Sequence, residues 1–400
     1  LYNQSEVFGI EEVSMKKRTD WKGLTRREFL KIGAFSATAA AVAPAVLAGS
    51  SRATPNAPGS LAFRTLGRTG LKVTVVSFGA MLTPEHEVIR AGLDMGMNYV
   101  DTARVYLSGR SEEVVGRALK GIRDKVYVAT KTRSDTKKEI MSDVDTSLSK
   151  LKTDRIDVIQ LHNLRSPDRA FLPEVREALT DLRKQGKVRF FGVTTHTNQA
   201  EVLNGIAGDP AKFFDVALVG YNFKSDKTLR DAVAGAAKTG VGIVAMKTQA
   251  GGYKTEAMGG VSPHQAALKW VLADPNVTCA IPGMKDMEML AEDSAVMGMR
   301  LTRADERVLE QYGASIAGSY CHLCGRCEPS CPLGVAISDM NRGLMYAEAY
   351  GEMGLARATY RSVPPERSAA SCEGCDACLA RCPRGLDVAA KMGKARTLLS

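Results

Sequence analysis

From Leu61 to Gly313 the chain alternates two patterns: short apolar runs rich in β-branched and aromatic residues, and longer stretches where apolar residues recur every three or four positions. The runs read VTVVSFG, MNYVD, KVYVATK, RIDVIQLH, VRFFGVTT, DVALVGYN, VGIVAMK and NVTCAIPG. Seven are separated by helical patterns of roughly 10 to 20 residues, within which lie stretches such as Glu201 to Ala207 and Thr228 to Lys238. This alternation predicts an α/β fold, a (β/α)8 TIM barrel, and a span of about 250 residues suits one such barrel. Beyond it the pattern becomes helical. A Pro-free run rich in Ala, Leu, Met and Glu from Asp339 to Tyr360 predicts one helix, ended by Pro364-Pro365. The expected organisation is a leader over 1–52, the barrel over 61–313 and a small helical domain over 314–400.

In such a barrel the chemistry gathers at the C-terminal ends of the strands. Asp101 closes MNYVD, Tyr106 follows in the loop, Lys131 closes KVYVATK, and His162 closes RIDVIQLH. With these residues the segments DTARVY, VATK and QLHN, the opening FRTLGRTGLKVTVVSFG and SEEVVGRAL resemble the aldo-keto reductases. The resemblance covers the whole barrel and implies a catalytic tetrad of Asp101, Tyr106, Lys131 and His162. A hydride arriving at a carbonyl carbon leaves an oxyanion that needs a proton, and a phenol is too weak an acid alone. Lys131 is expected to lower the pKa of Tyr106, Asp101 to position Lys131, and His162 to hydrogen-bond the substrate oxygen.

The resemblance also implies a nicotinamide cofactor, NADP or NAD. Its adenine end falls to IPGMKDMEMLAED, Ile281 to Asp293, which includes Gly283 and Lys285; the family's frequent Glu-Asn ending reads Glu292-Asp293, and Met289 stands where NADPH-preferring members place an Arg. The aromatic that stacks on the nicotinamide is replaced by Met246, followed by Lys247, and Thr194 and Thr195 are the candidates for the carboxamide, with His196 beside them. Arg165, Arg169, Tyr253 and Lys254, in the loops LRSPDRAF and TQAGGYKTEAMGG, are possible contacts for a small-molecule carbonyl or alcohol substrate.

Eight of nine cysteines fall in CHLCGRCEPSCP (Cys321, Cys324, Cys327, Cys331) and CEGCDACLARCP (Cys372, Cys375, Cys378, Cys382). Both read C-x2-C-x2-C-x3-C-P, which resembles the bacterial ferredoxin run and implies two 4Fe-4S clusters. By that analogy Cys321, Cys324, Cys327 and Cys382 hold one, and Cys372, Cys375, Cys378 and Cys331 the other. A disulfide framework would not require the same spacing twice with Pro after each last Cys. His322 lies inside the first run, and Cys279 sits in an apolar strand as a core residue.

The net charge of +10 comes without a block of five or six basic residues or arginine-aromatic interleaving, so it implies solvated surface rather than nucleic-acid binding. Met15 is the expected start, followed by Lys16-Lys17-Arg18, an uncharged Ala-rich stretch from Ile32 to Ser51 interrupted by Pro44, and small residues at Val46-Leu47-Ala48 before Gly49. TRREFLK, Thr25 to Lys31, resembles a twin-arginine (Tat) signal, whose translocase carries folded cargo. Clusters assembled in the cytoplasm need such a route, so the expectation is a periplasmic or extracytoplasmic protein, or one tethered by an uncleaved leader. The whole reads as an exported oxidoreductase whose clusters relay electrons from an unknown partner; since no free pool of reduced nicotinamide exists outside, its cofactor travels bound and is reduced in place, or is absent. Two rival readings are an electron-transfer protein whose barrel is a non-catalytic scaffold, and clusters that only brace the C-terminal domain.

Overall fold

Seven of the eight apolar runs each give one strand: β4 (Tyr99–Asp101), β5 (Tyr127–Thr132), β6 (Ile156–Leu164), β7 (Val188–Thr195), β8 (Val216–Gly220), β9 (Gly242–Met246) and β10 (Cys279–Ala280). The first run, VTVVSFG, divides. Its start belongs to β2 (Lys72–Thr74), which pairs antiparallel with β1 (Phe63–Thr65), and only β3 (Phe78–Gly79) joins the others. The eight strands from β3 to β10 form one parallel sheet in chain order. Parallel bridges Val76 to Ala280 and Gly79 to Gly283 join first strand to last, with Ser77 N–H donating to Ala280 O at 2.9 Å. The sheet therefore closes into the (β/α)8 barrel and leaves no edge exposed. These statements rest on a computed structural model that describes residues 60–253, 258–375 and 377–400. The expected leader and Lys254 lie outside the described residues.

The first run divides because the β1/β2 turn is wanted elsewhere. Leu66, Leu71 and Val73 pack among Tyr99, Val158, Val216, Val244 and Cys279 and fill the barrel's interior. Gly67, at φ +49°, lies so close to the Gly242 backbone that any side chain would collide with it. Cys279 is fully buried there, and burial pushes its thiol up to about 12.

The helices outside the wall are α1 (His86–Asp94), α2 (Ser111–Ala118), α3 (Lys137–Leu151), α4 (Pro173–Lys184), α5 (Gln199–Ala207), α6 (Lys227–Lys238), α7 (Pro263–Ala273) and α8 (Met287–Ser294). They bury one apolar stripe each against the strands in the main core. Next comes α9 (Arg303–Ser315), started by a Thr302/Asp305 capping box, which packs Val308 and Leu309 on Ala266 and Ala267 of α7. It runs two residues past the expected boundary at 313.

The C-terminal segment holds α10 (Ile337–Glu348), α11 (Met353–Arg361) and α12 (Val388–Leu399) around Met340, Leu344, Ala356, Tyr360, Met392 and Leu399. The single helix expected over Asp339 to Tyr360 is thus two. Gly351, at φ +67°, turns the chain, and Glu352 N–H donates to Tyr346 O at 2.8 Å, a left-handed glycine stop. Every residue of α10 from Ile337 to Tyr346 is buried, because the helix lies between its own domain and the barrel mouth. Among the described residues no helix is long and apolar enough to cross a membrane.

Candidate active site at the barrel mouth

Register sets the first layer of the site. Asp101 pairs with Gly79 and Ala129, and Lys131 pairs with Gln160, so these side chains enter one level of the barrel. Lys131 Nζ donates to Asp101 Oδ1 and, at 2.7 Å, to Thr102 O, while Gln160 Nε2 donates to Asp101 Oδ2 at 2.7 Å. Asp101 and Lys131 are each 2% exposed. Tyr106 follows in a tight turn in which Leu107 and Ser108 take left-handed φ of 50° and 55°. Two such non-glycine residues cost about 1–2 kcal/mol each, strain that a functional loop retains. The turn is pinned by Lys150 Nζ on Gly109 O at 2.7 Å, and by Ser111 at the start of α2, whose Oγ donates to Ala80 O at 3.0 Å.

His162 sits where the β6/β7 register shifts, between Leu161 and Leu164. A bulge re-aims a side chain, and here Asn163 at φ +58° completes it. The four residues converge: Lys131 Nζ lies 4.7 Å from the Tyr106 ring centre, and the Tyr106 and His162 rings meet edge-on at 5.9 Å.

The electrostatics differ from expectation in one respect. Burial, followed by Asp101 and Tyr346, pushes the Tyr106 phenol well above its ordinary range, and Arg133 and Arg342 offset only part of this. The expected lowering by Lys131 is not found, since the Lys131 charge is taken up by Asp101. Burial draws both partners of that pair toward neutrality, raising Asp101 and lowering Lys131, while their mutual attraction opposes it. Burial and the cations Lys131, Arg133, Arg342 and Arg169 hold His162 well below its usual value, so it is a neutral imidazole.

Asp101 and Tyr106 open onto a cavity of about 280 Å³ that also reaches Met246, Gly283, Lys285 and Met289 and is roofed by Ala349 and Tyr350. The residues expected to meet a nucleotide are distributed unevenly around it. Met246, Gly283 and Lys285 line it. Lys285 Nζ, however, is held at 2.7 Å by both Tyr350 O and Glu352 Oε1 of the C-terminal domain. Glu292 accepts from Ser262, and buried Asp293 accepts from Gln249 Nε2 at 3.0 Å, with burial and Glu292 pushing its carboxyl well up. Neither threonine hydroxyl is free as expected: Thr194 Oγ1 accepts from Asn163 N–H at 2.7 Å, fixing the bulge, and Thr195 Oγ donates to Thr197 O at 2.9 Å. His196, 7% exposed, lines the cavity with its Nδ1 buried and unpartnered, as a group awaiting a polar ligand would be. A nicotinamide head fits this wall.

A second cavity of about 530 Å³ shares His196 and Lys247 with the first and extends to Tyr320, His322 and Cys324. His322 packs on Tyr320 with ring centres 5.0 Å apart. The loop residues expected at the substrate are otherwise engaged: Arg165 binds Glu328 at 2.6 Å and also Asp339, Arg169 binds Asp135, and Tyr253 donates to Ser319 O at 3.1 Å.

The eight cysteines are free and associate in two interleaved sets. Burial, then Cys327, Cys324 and Cys382, push the Cys321 thiol up to about 12; burial, then Cys331, Cys378 and Cys375, raise Cys372. Each set thus draws on both motifs. Among the described residues no three His, Cys, Asp or Glu side chains converge on a single ion. Eight free thiols in two sets of four are the donor number that two 4Fe-4S groups take.

Three residues at the mouth went unforeseen. Arg342 and Tyr346 come from α10 and Asn163 from the bulge; Asp339, Arg342 and Tyr346 are spaced as one helix face, the single hint in the sequence.

Residues 83–259 match the aldo/keto reductase family and residues 320–386 the 4Fe-4S dicluster domain. Aldo-keto reductase YhdN of Bacillus subtilis is 38% identical over 135 residues, 30% of this chain and 40% of that protein. The uncharacterized oxidoreductase YqkF of the same organism is 25% identical over 300 residues, 62% of this chain and 95% of its own. An aldo/keto reductase from Klebsiella pneumoniae, solved with NADP and acetate, superposes with a TM-score of 0.54 at 25% identity, covering 62% of this chain and 94% of that one. This chain therefore joins an aldo/keto reductase domain, folded as a (β/α)8 barrel, to a 4Fe-4S dicluster domain.

Proposed function

We propose that the protein interconverts a small carbonyl compound and its alcohol using a bound nicotinamide, and that two 4Fe-4S clusters relay electrons between an outside partner and the barrel. The observation that carries this reading is the assembly of Asp101, Tyr106, Lys131 and His162 around a cavity that also touches Met246, Gly283 and the unpartnered His196. A nicotinamide bound there would supply or take the hydride, and clusters on the two cysteine sets would supply single electrons. The chain's own part is proton handling. Tyr106, held protonated by burial, donates to the developing alkoxide; neutral His162 hydrogen-bonds the same oxygen; and Arg133 and Arg342, the cations that act on Tyr106, stabilise the phenolate left behind while Lys131 stays locked to Asp101. NADP is the carrier favoured by the Klebsiella pneumoniae relative.

A specific observation favours the second reading, in which the barrel only scaffolds electron transfer: Lys285, Glu292, Asp293 and both threonines already have partners. Anaerobic purification followed by iron, sulfide and released-nucleotide analysis separates the two. About eight irons with NADP or NAD support the enzyme, whereas eight irons without nucleotide support the scaffold. Tyr106→Phe should lower carbonyl turnover by on the order of 100-fold to 10,000-fold, and unchanged turnover refutes its role as donor. We also propose export of the folded protein, on the TRREFLK segment; fractionation of cells making the full chain tests it, and cytoplasmic retention overturns it.

A further inference from the structure

The mouth of the barrel carries more positive charge than its carboxylates balance, and the surplus comes from both domains. Lys131 is matched by Asp101 and Arg169 by Asp135, while Arg165 and Arg342 share Asp339 and Arg165 also binds Glu328. Arg133, directly after β5, has no carboxylate or hydrogen-bond partner among the described residues. Lys247, directly after β9, meets no carboxylate among the described residues; its amine donates to the Tyr346 hydroxyl at 3.1 Å, interacts with the Tyr350 hydroxyl, and faces the Tyr346 and Tyr350 rings at 4.4 and 5.1 Å. Among these groups six cations thus meet four carboxylates, and four of the cations, Lys131, Arg133, Arg342 and Arg169, act on His162.

Arg342 is the most telling of these. It is 9% exposed, delivered by α10 beside the bulge, and its Nε is buried without a partner. Its Nη2 donates to Asp339 at 2.7 Å, and its Nη1 makes only a long 3.3 Å contact with Asn163 Oδ1. A buried guanidinium with a donor to spare is costly unless something anionic completes it. Asn163 and Lys247 both hold their backbones at left-handed φ, 58° and 55°, to present these groups. The potential is felt across the site. After burial, Arg342 and Lys247 are the next causes holding His196 well below its usual value, and Lys247 and Arg342 override burial to keep the Tyr346 phenol low.

We propose that the site takes a carbonyl compound carrying a carboxylate, which Arg342 and Arg133 hold with Lys247 and Tyr346 beside it, so that the 4Fe-4S domain supplies part of the substrate's binding site. This rests on the carbonyl reading above. The planar guanidinium of Arg342 offers a carboxylate parallel donors, and the surplus of cations concentrates anions at the mouth.

The test compares 4-carboxybenzaldehyde with its neutral isostere 4-carbamoylbenzaldehyde, whose amide is the more electron-withdrawing group so that intrinsic reactivity does not favour the carboxylate, on the cluster-loaded full chain. The ratio of their kcat/KM values should favour the carboxylate by about tenfold to hundredfold and shrink with added salt. Arg342→Gln should collapse that ratio, Arg342→Lys should recover part of it, and Arg133→Gln should reduce it independently. A folding defect would lower both probes together and leave the ratio intact. Equal kcat/KM for the two probes, or a ratio unmoved in both Gln variants, overturns the proposal while leaving the reductase reading in place. Calorimetric binding to Tyr106→Phe protein covers the remaining case. If neither aldehyde is turned over but the carboxylate still binds more tightly, the reductase reading fails and the anion site stands; if it binds no more tightly, both fail.

Discussion

Asp101→Asn isolates the buried charge of Lys131. The asparagine oxygen can still accept from Lys131 Nζ, and its new amide donor faces Gln160, whose Oε1 is buried and unpartnered in the wild type. Turning the Gln160 amide over therefore restores that hydrogen bond, and what remains is an ammonium with no counter-charge, 2% exposed. Breaking a buried ion pair from one side costs about 3–5 kcal/mol. A ceiling follows from titration, because Lys131 can instead fold neutral. From an unfolded pKa of 10.5 that alternative costs about 4.8 kcal/mol at pH 7 and about 2 kcal/mol at pH 9. The sign is fixed: burial lowers the folded pKa of this base, so the variant sheds a proton on folding and gains stability relative to wild type as pH rises. Anaerobic urea unfolding followed by near-ultraviolet dichroism should show a deficit of about 3–5 kcal/mol at pH 7 that falls below about 2 kcal/mol at pH 9. Asp101→Asn/Lys131→Met should recover most of it while remaining inactive. A deficit under about 1 kcal/mol that is flat in pH would mean that Lys131 carries no charge in the folded protein.

The shifts at the reacting oxygen set the pH profile. With Tyr106 held above its ordinary range and His162 held below it, kcat for carbonyl reduction should be flat from about pH 6.5 to 9, and an alkaline fall beginning near pH 7.5 would restore a Lys131-lowered phenol. Glu352→Gln frees Lys285 from its ion pair and should tighten NADP(H) about threefold to tenfold with little change for NAD(H), read by fluorescence titration; equal effects on both would place Lys285 away from the 2′-phosphate. Asp293, raised by burial, favours folding fully only below pH 3.8 and loses that contribution as pH rises, so Asp293→Asn should raise Tm at pH 7 and not at pH 3.5. Cys382→Ala should remove about half the iron by disturbing the set that holds Cys321 and leave the set of Cys372; loss of the Cys372 set instead would break the interleaving.

The barrel could be read from the chain because each of its strands is a continuous apolar run and each tetrad residue sits in a local motif. What escaped was set by contacts between distant segments. VTVVSFG has strand composition throughout, yet its first half pairs with Phe63–Thr65 because the barrel floor needs Leu66 and Leu71. The run from Asp339 to Tyr360 has helical composition throughout, and one glycine at φ +67° divides it. Thr194 looked free for a cofactor because nothing local reveals that Asn163, 31 residues away, needs its oxygen. Arg342 reached the site from 179 residues beyond Asn163, a separation at which helix periodicity says that a polar face exists but not what it meets.

The burial of α10 on every side has a consequence for how the protein is assembled. Just past its end at Glu348, the residues Ala349 and Tyr350 line the cavity that Tyr106 opens onto. That wall of the site is therefore complete only once the C-terminal segment has docked on the barrel. Opening of this junction changes the lining of the cavity and so bears on how readily a ligand enters or leaves. A barrel cut free of its cysteine-bearing segment would keep Asp101, Tyr106, Lys131 and His162 but lose two residues of the cavity they face.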